Sequence, residues 1–386
     1  MPSRPDKQLA FIRAGETWSE FQEVFVINLP SRTDRRDAMS LAGAVTDVHL
    51  NYVNGVDGGK IPDKVLPADS WNKKINVGNK GSWRAHMNVL RSIVESNLTS
   101  ALILEDDTDW DVRIKSQLQV FALASRSYLQ PLRDGSMLSD KYDSPVPHRL
   151  STEEVATSYT VALPDAPPYQ VPKRSPYGDN WDVLWLGHCG TEFPGSLREL
   201  HHDADLNKAN SSLLRISVPN DPTVPVPRHL RPHPFALQDD LGEAYAPGTR
   251  VVHASSGTLC TQAYAVSQAG ARRLLHQFGL ETFTTGFDLM LRDWCDGMYL
   301  HGGSEKQGRH KGMPMCLTVQ PPLFSHWLFE KEASSDIMAQ GGGYLHKSGS
   351  QYQRLSTRLN LARLVEGTQL DDLRDQWPDS EEDGLA

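Results

Sequence analysis

Short apolar runs of strand length, each closed by turn residues and followed by a stretch of helical spacing, recur along this chain. That alternation constrains the fold more than any other feature. EVFVINLPSRTDRRDAMSLAG, from Glu23 to Gly43, reads as a buried strand ended by Asn28, Leu29 and Pro30, then a helix that stops at Gly43. VTDVHLNYVNGVDG holds a second strand and its turn. Ser82 can cap a helix in SWRAHMNVLRSIVESN, where Trp83, Met87, Leu90 and Val94 share one stripe. ALILE is the next strand. The pattern predicts an α/β protein with a mainly parallel central sheet, helices on both faces, and ligands at the carboxyl ends of the strands.

Further along, IKSQLQVFALASRSYL reads as a helix, WDVLWLGHCG as a central strand, and GTLCTQAYAVSQAGARRLLHQFG as a strand, a Ser267 cap and a helix. TTGFDLMLRDWCDG is a short helix and LTVQPPLFSHW a last strand with its exit. Periodicity fails near 131–175 and again near 195–250, where PVPHR, LPDAPPY and VPNDPTVPVPRHLRPHPF are rich in Pro and turn residues. Both stretches read as surface insertions in one domain over 20–330. Residues 331–386 form a C-terminal extension whose acidic end, WPDSEEDGLA, is expected to be partly disordered.

The 386 residues are 39% hydrophobic, enough for one large core or two smaller ones. Lys and Arg number 39 against 48 Asp and Glu, a net charge of −9 with no basic block, which argues against nucleic acid as a partner. No apolar run approaches the roughly 20 residues of a membrane span, so no transmembrane segment is expected in this chain. The start, MPSRPDKQLAFIRAGE, lacks a secretory apolar core, so the protein is cytoplasmic unless an anchor for the Golgi or ER lumen lies outside this chain. Cys189, Cys260, Cys295 and Cys316 show no CxxC or zinc spacing and are too few to expect a disulfide scaffold, which leaves the redox compartment open. Two sequons, at Asn97 and Asn210, are weak signals.

The chemistry begins where ALILE runs into DDTDWD. In a strand, residues two apart face one way, so Glu105 and Asp107 can project together while Asp106 points elsewhere. Two oxygen ligands on one edge suit a hard cation, Mg²⁺ or Mn²⁺, whose shell an anionic substrate such as a diphosphate would complete. A solvated turn or cap is the alternative for such a run. Arg32, Arg35 and Arg36 share one helical face at the start of the first helix, where free backbone N–H groups already favour an anion. Asp34 and Asp37 could equally pair with those arginines at the surface.

VINLPSRTDRR, GNKGSWRAHMNVLRSIVES, ALILEDDTDWD, WDVLWLG, TQAYAVSQAGARRLL and FDLML occur in an order and spacing that resemble glycosyltransferase family 25, which includes bacterial lipooligosaccharide and collagen galactosyltransferases. The likeness is to fungal members and covers roughly 24–327. The family's usual Gly-Cys and Ser-His pairs read Gly81-Ser82 and Ala85-His86 here. The resemblance implies a GT-A type nucleotide-sugar-binding fold, a UDP-sugar donor, Mn²⁺ and inversion at the transferred carbon. It implies a galactosyl- or glucosyltransferase with a glycan or protein acceptor. On that reading Asp107 and Glu105 hold the metal, and Glu105 and Asp106 also face the donor with Arg32, Arg35 and Arg36. His326, at the end of the last strand, completes the metal shell or simply packs beside Trp327. Asp288 matches the family's late aspartate and is the candidate base, although acids in a first helical turn also complement the helix dipole. Asn28 and Asp57 could contact the nucleotide or serve their turns. His86, on the helix stripe, reads as a hydrogen-bonded core histidine. The competing functions are a nucleotidyltransferase of sugar nucleotides, which usually has a Gly-rich loop that NLPSRTDRR lacks, and an inactive binding module of the same fold.

Overall fold

The computed structural model describes residues 21–70, 74–142, 152–194, 212–230, 240–299, 312–328 and 349–379. Its strands are β1 (Glu23–Asn28), β2 (Asn51–Asn54), β3 (Ser100–Glu105), β4 (Thr108–Trp110), β5 (Thr160–Ala162), β6 (Val183–Gly187), β7 (Arg215–Val218), β8 (Arg250–Ala254), β9 (Ala263–Ser267), β10 (Cys316–Gln320), β11 (Phe324–Leu328) and β12 (Gly349–Ser350). The helices are α1 (Thr33–Val45), α2 (Val77–Glu95), α3 (Ile114–Leu129), α4 (Thr152–Tyr159), α5 (Asp240–Ala244), α6 (Gln268–His276), α7 (Phe287–Cys295) and α8 (Leu361–Val365).

The sheet order is β2-β1-β3-β9-β6-β10-β8-β7-β5, with β11 joining β6, β4 and β12. β1 lies parallel to β2 and β3, and β6 parallel to β10. β9 runs antiparallel between β3 and β6, so the α/β sheet is mixed. Period-two alternation sends Leu102, Leu104, Leu184 and Leu186 to the face covered by α1 and α3, and Ala101, Ile103, Val183 and Trp185 to the face covered by α2, α6 and α7. Helices therefore cover both faces, and β1 and β3 end side by side, with Ile27 opposite Glu105.

Several boundaries and segments differ from the sequence-based expectation. α2 begins at Val77, capped by Asn76, whose Oδ1 accepts the Gly78 N–H at 2.6 Å, so Ser82 lies inside the helix. Glycine is required where the 56–58 turn packs against the first turns of α2, because a Cβ on Gly58 would stand 1.9 Å from Val77 O and one on Gly81 2.3 Å from Val56 O. The Pro-rich segments are more than surface insertions. They contribute β5 and β7, which extend the sheet beyond β8, and Leu214 and Ile216 are fully buried. Periodicity hid them because TVA and RISV are only 3 and 4 residues long. Among the described residues of the C-terminal segment, Val112 N–H donates to Leu355 O and Thr357 N–H to Trp110 O, so this stretch packs beside β4. The last residues of the acidic tail, 380–386, lie outside the described residues. All four cysteines pair, as Cys189–Cys260 and Cys295–Cys316. No helix among the described residues is long and apolar enough to cross a membrane.

Candidate active site

The strand ends of β1 and β3 bring Asn28 next to the acids. Asn28 Nδ2 donates to Asp106 Oδ2 at 2.8 Å and to Arg32 O at 3.1 Å. Arg35, on the buried side of α1, donates through Nη1 to Asp106 Oδ1 at 2.7 Å and to Asp107 Oδ2 at 3.0 Å. Asp106 therefore does not point away from its neighbour. Strand alternation ends at Glu105, and in the turn to β4 both aspartates face the same guanidinium.

Glu105 looks the other way. Its Oε1 accepts the Thr261 hydroxyl at 2.7 Å and lies 3.9 Å from His86 Nε2. Burial pushes the Glu105 carboxyl up to about 7, with Asp107 and Asp288 acting in the same direction and Thr261 opposing. Burial would also raise Asp107, but His326 and Arg35 outweigh it and hold this carboxyl well below the usual range. Burial and Asp107 raise Asp106, and Arg35 and Asn28 only partly offset them. His326 Nε2 sits 3.2 Å from Asp107 Oδ2. Burial lowers the His326 pKa, yet the charges of Asp107 and Glu105 raise it on balance.

Asp288, half-buried in the first turn of α7, accepts the Cys260 N–H through Oδ2 at 3.3 Å. Its charge acts on Glu105, and the two carboxylates are bonded by consecutive residues, Asp288 by Cys260 and Glu105 by Thr261. Asp293 instead pairs with Arg292, and Asp296 lies near the Gly257 N–H at 3.3 Å. His86 is a core histidine: it is 2% exposed, hydrogen-bonds Tyr264 OH through Nδ1 at 2.8 Å and stacks on Phe287 at 4.0 Å.

Three residues grouped with the site by sequence stand elsewhere. Arg32 makes a two-pronged contact with Asp34, through Nε at 3.0 Å and Nη2 at 2.8 Å. Arg36 lies 4.2 Å over the Tyr52 ring. Of the three arginines only Arg35 reaches the acids, because one-face spacing on a helix does not decide which stem turns inward. Asp57 accepts the Gly59 N–H at 2.9 Å and serves its turn. Two residues went unnoticed in sequence. Thr261 opens the TQAYAVSQAGARRLL stretch, in which no spacing singles it out. Arg358 is buried and donates to the main-chain oxygens of Asp106 and Thr108 at 2.7 and 3.0 Å. Asp109 accepts its N–H together with the Ser350 and Ser356 hydroxyls.

Whether these groups fit a hard cation can be judged from their spacing. Two ligands at right angles around an ion bound at about 2.1 Å lie about 3 Å apart. Asp107 Oδ2 and His326 Nε2 are 3.2 Å apart, and among the described residues Asn28 Oδ1 is buried without a hydrogen-bond partner. Among the described residues no three His, Cys, Asp or Glu side chains form a ready-made cage. The pair fits a cation that takes its remaining ligands from a bound, oxygen-rich molecule.

Residues 21–191 match the family model described as Glycosyltransferase family 25 (LPS biosynthesis protein). The chain is 30% identical over 129 residues to procollagen galactosyltransferase 1 of Danio rerio, covering 31% of this chain and 21% of that protein. It is 34% identical over 113 residues to procollagen galactosyltransferase 1-B of Xenopus laevis, covering 26% and 18%. Over 128 residues it is 25% identical to procollagen galactosyltransferase 2 of Homo sapiens, covering 30% and 20%. The chain thus matches about a fifth of the length of these curated relatives. Residues 21–191, which hold β1, β3, Arg35 and the acidic turn, are thus the part of the chain that is similar to glycosyltransferase family 25.

Proposed function

We propose that this chain is a metal-dependent, inverting hexosyltransferase of GT-A type, which moves galactose or glucose from a UDP-sugar to a hydroxyl of a glycan or protein acceptor. One observation carries the reading: three consecutive acids at the end of β3, braced by Arg35 and Arg358 and faced by His326, beside a separate carboxylate, Asp288. The names of the matched relatives make galactose the first sugar to test.

In this reading Asp107 and His326, with Glu105 behind them, would hold Mn²⁺ or Mg²⁺, which would supply positive charge against the donor diphosphate. Arg35 holds Asp106 and Asp107 in place and adds positive charge at the same end of the sheet. Asn28 presents to the donor its Oδ1, which has no partner among the described residues. Asp288, poised by the Cys260 N–H, accepts the proton of the acceptor hydroxyl.

The test is a panel of UDP-sugars with a hydroxyl acceptor and Mn²⁺, read as UDP release and sugar transfer, for the parent and Asp107→Asn. Transfer by the parent that is lost in EDTA and falls at least about 100-fold in the variant is the expected outcome. Equal activity in EDTA, or a variant as active as its parent, overturns the metal assignment. No transfer from any UDP-sugar overturns the activity itself.

A further inference from the structure

The segment joining β8 to β9 touches both halves of the site. Its Cys260 N–H donates to Asp288 Oδ2 at 3.3 Å, and the next residue, Thr261, donates to Glu105 Oε1 at 2.7 Å. The Cys260 carbonyl accepts the Trp185 indole N–H at 2.8 Å. Cys260 holds φ at +64°, a left-handed conformation that a residue with a Cβ enters only at a cost. The bond to Cys189 ties this strained residue to the end of β6, where Cys189 N–H donates to Leu259 O at 2.9 Å.

We propose that the Cys189–Cys260 disulfide is a positioning clamp, which holds the 257–261 segment so that one backbone N–H orients Asp288 and one hydroxyl orients Glu105. The inference rests on the catalytic reading of Asp288 given above. The second disulfide serves another purpose. Cys295 and Cys316 are each 4% exposed and tie the end of α7 to β10 inside the core. Cys189 and Cys260 are only half-buried, so a dithiol in solution can reach them first. A dithiol supplies two electrons and two protons: the Cys189–Cys260 bond breaks to two thiols, and the reagent closes to its own disulfide. Cys260 is then free to leave the left-handed conformation, carrying with it the N–H that meets Asp288. The enzyme is therefore competent only while this bond is oxidised, which suits an oxidising compartment.

The experiment uses the whole chain, treated with graded dithiothreitol and then alkylated, alongside the double variant Cys189→Ala/Cys260→Ala. Alkylation should map to Cys189 and Cys260 before Cys295 and Cys316. In both reduced and variant protein kcat should fall about 10- to 100-fold, the scale of a small misplacement of a reacting group. UDP affinity by calorimetry should stay close to the parent's, and oxidised glutathione should restore kcat to the reduced protein. Amide exchange should rise at 257–262 and at the start of α7 and stay unchanged in α2 and β3. Parental kcat after complete reduction of this bond overturns the proposal, and so does a fall accompanied by lost protection throughout α2 and β3. If the oxidised parent transfers no sugar, the proposed activity fails separately. The exchange measurement still decides the clamp, because unchanged protection at 257–262 overturns it.

Discussion

Arg358 Nη2 donates to the main-chain oxygen of Asp106 at 2.7 Å from a position 252 residues further along the chain. Its Nε reaches Thr108 O at 3.0 Å, so one guanidinium spans the turn that carries Asp107. The acids crowd together because positive charge meets them from both sides, Arg35 at their carboxylates and Arg358 at their backbone. Residues near 350–358 are thus part of the site's support.

Arg358→Ala should therefore destabilise the protein by about 3 kcal/mol, since it leaves two buried carbonyls unpaired and removes a charge from among Asp106, Asp107 and Asp109. Arg358→Lys keeps the charge but cannot reach both carbonyls, and should recover only part of the loss. Denaturant midpoints of the three proteins check this. A shift in Arg358→Ala no larger than that of an exposed arginine would show that Arg358 does not brace the acidic turn.

The legible part of the site was the part built from neighbours in sequence. Asn28 and Glu105–Asp107 end apolar strands, and that pattern announces a strand terminus wherever it occurs. Arg35 could not be told from Arg32 and Arg36, because their fates depend on Asp34 and Tyr52, which are details of side-chain geometry. Arg358, Thr261 and the disulfides were invisible for another reason. Their partners lie 250, 156, 71 and 21 residues away, and no local spacing encodes such contacts. The parallel β1–β3 core followed from alternation, whereas β5 and β7 were too short to carry any period.

Arg35→Ala and Arg32→Ala should separate sharply. Removing Arg35 leaves Asp106 and Asp107 buried beside each other without their shared donor, a loss of about 3 to 5 kcal/mol. Removing Arg32 breaks a contact with an exposed aspartate and leaves the partners of Asp106 and Asp107 in place, so it should cost clearly less than removing Arg35. Calorimetry with UDP and Mn²⁺ should show weaker binding for Arg35→Lys, in which the charge remains on a shorter side chain that reaches both acids less well. Equal stability of the two alanine variants would show that the acids need no such brace.

Acid stability should report a residue far from the acids. His253, on β8, is fully buried; its Nδ1 faces Ala254 O at 2.8 Å and its Nε2 faces the Gln320 amide at 2.9 Å. Burial pushes its pKa from 6.5 down to about 3, and the nearby charges of Arg215 and His188 act the same way, against the Ala254 carbonyl. Below pH 6.5 the unfolded chain takes up a proton that the native imidazole refuses, so this contribution is complete above that pH and is lost as pH falls toward 3. Between pH 7 and pH 5 the loss from this one group is about 2 kcal/mol. His253→Gln should flatten the pH dependence by that amount in denaturant titrations. Parallel curves for parent and variant would show that the imidazole is protonated in the native state.

Asp288→Asn tests the assignment of the base. The amide keeps the shape of the carboxylate and can still accept the Cys260 N–H through its oxygen, so the start of α7 should remain in place. It cannot take a proton from an acceptor hydroxyl, and removing a general base costs about 10²- to 10⁴-fold in rate. The variant should lose that much kcat while binding UDP as the parent does, because Arg35, Asp107 and His326 are untouched. A metal ligand would behave differently, losing UDP affinity and turnover together in Mn²⁺. If Asp288→Asn keeps parental kcat, Glu105, whose pKa burial has pushed up to about 7, becomes the carboxylate to test next.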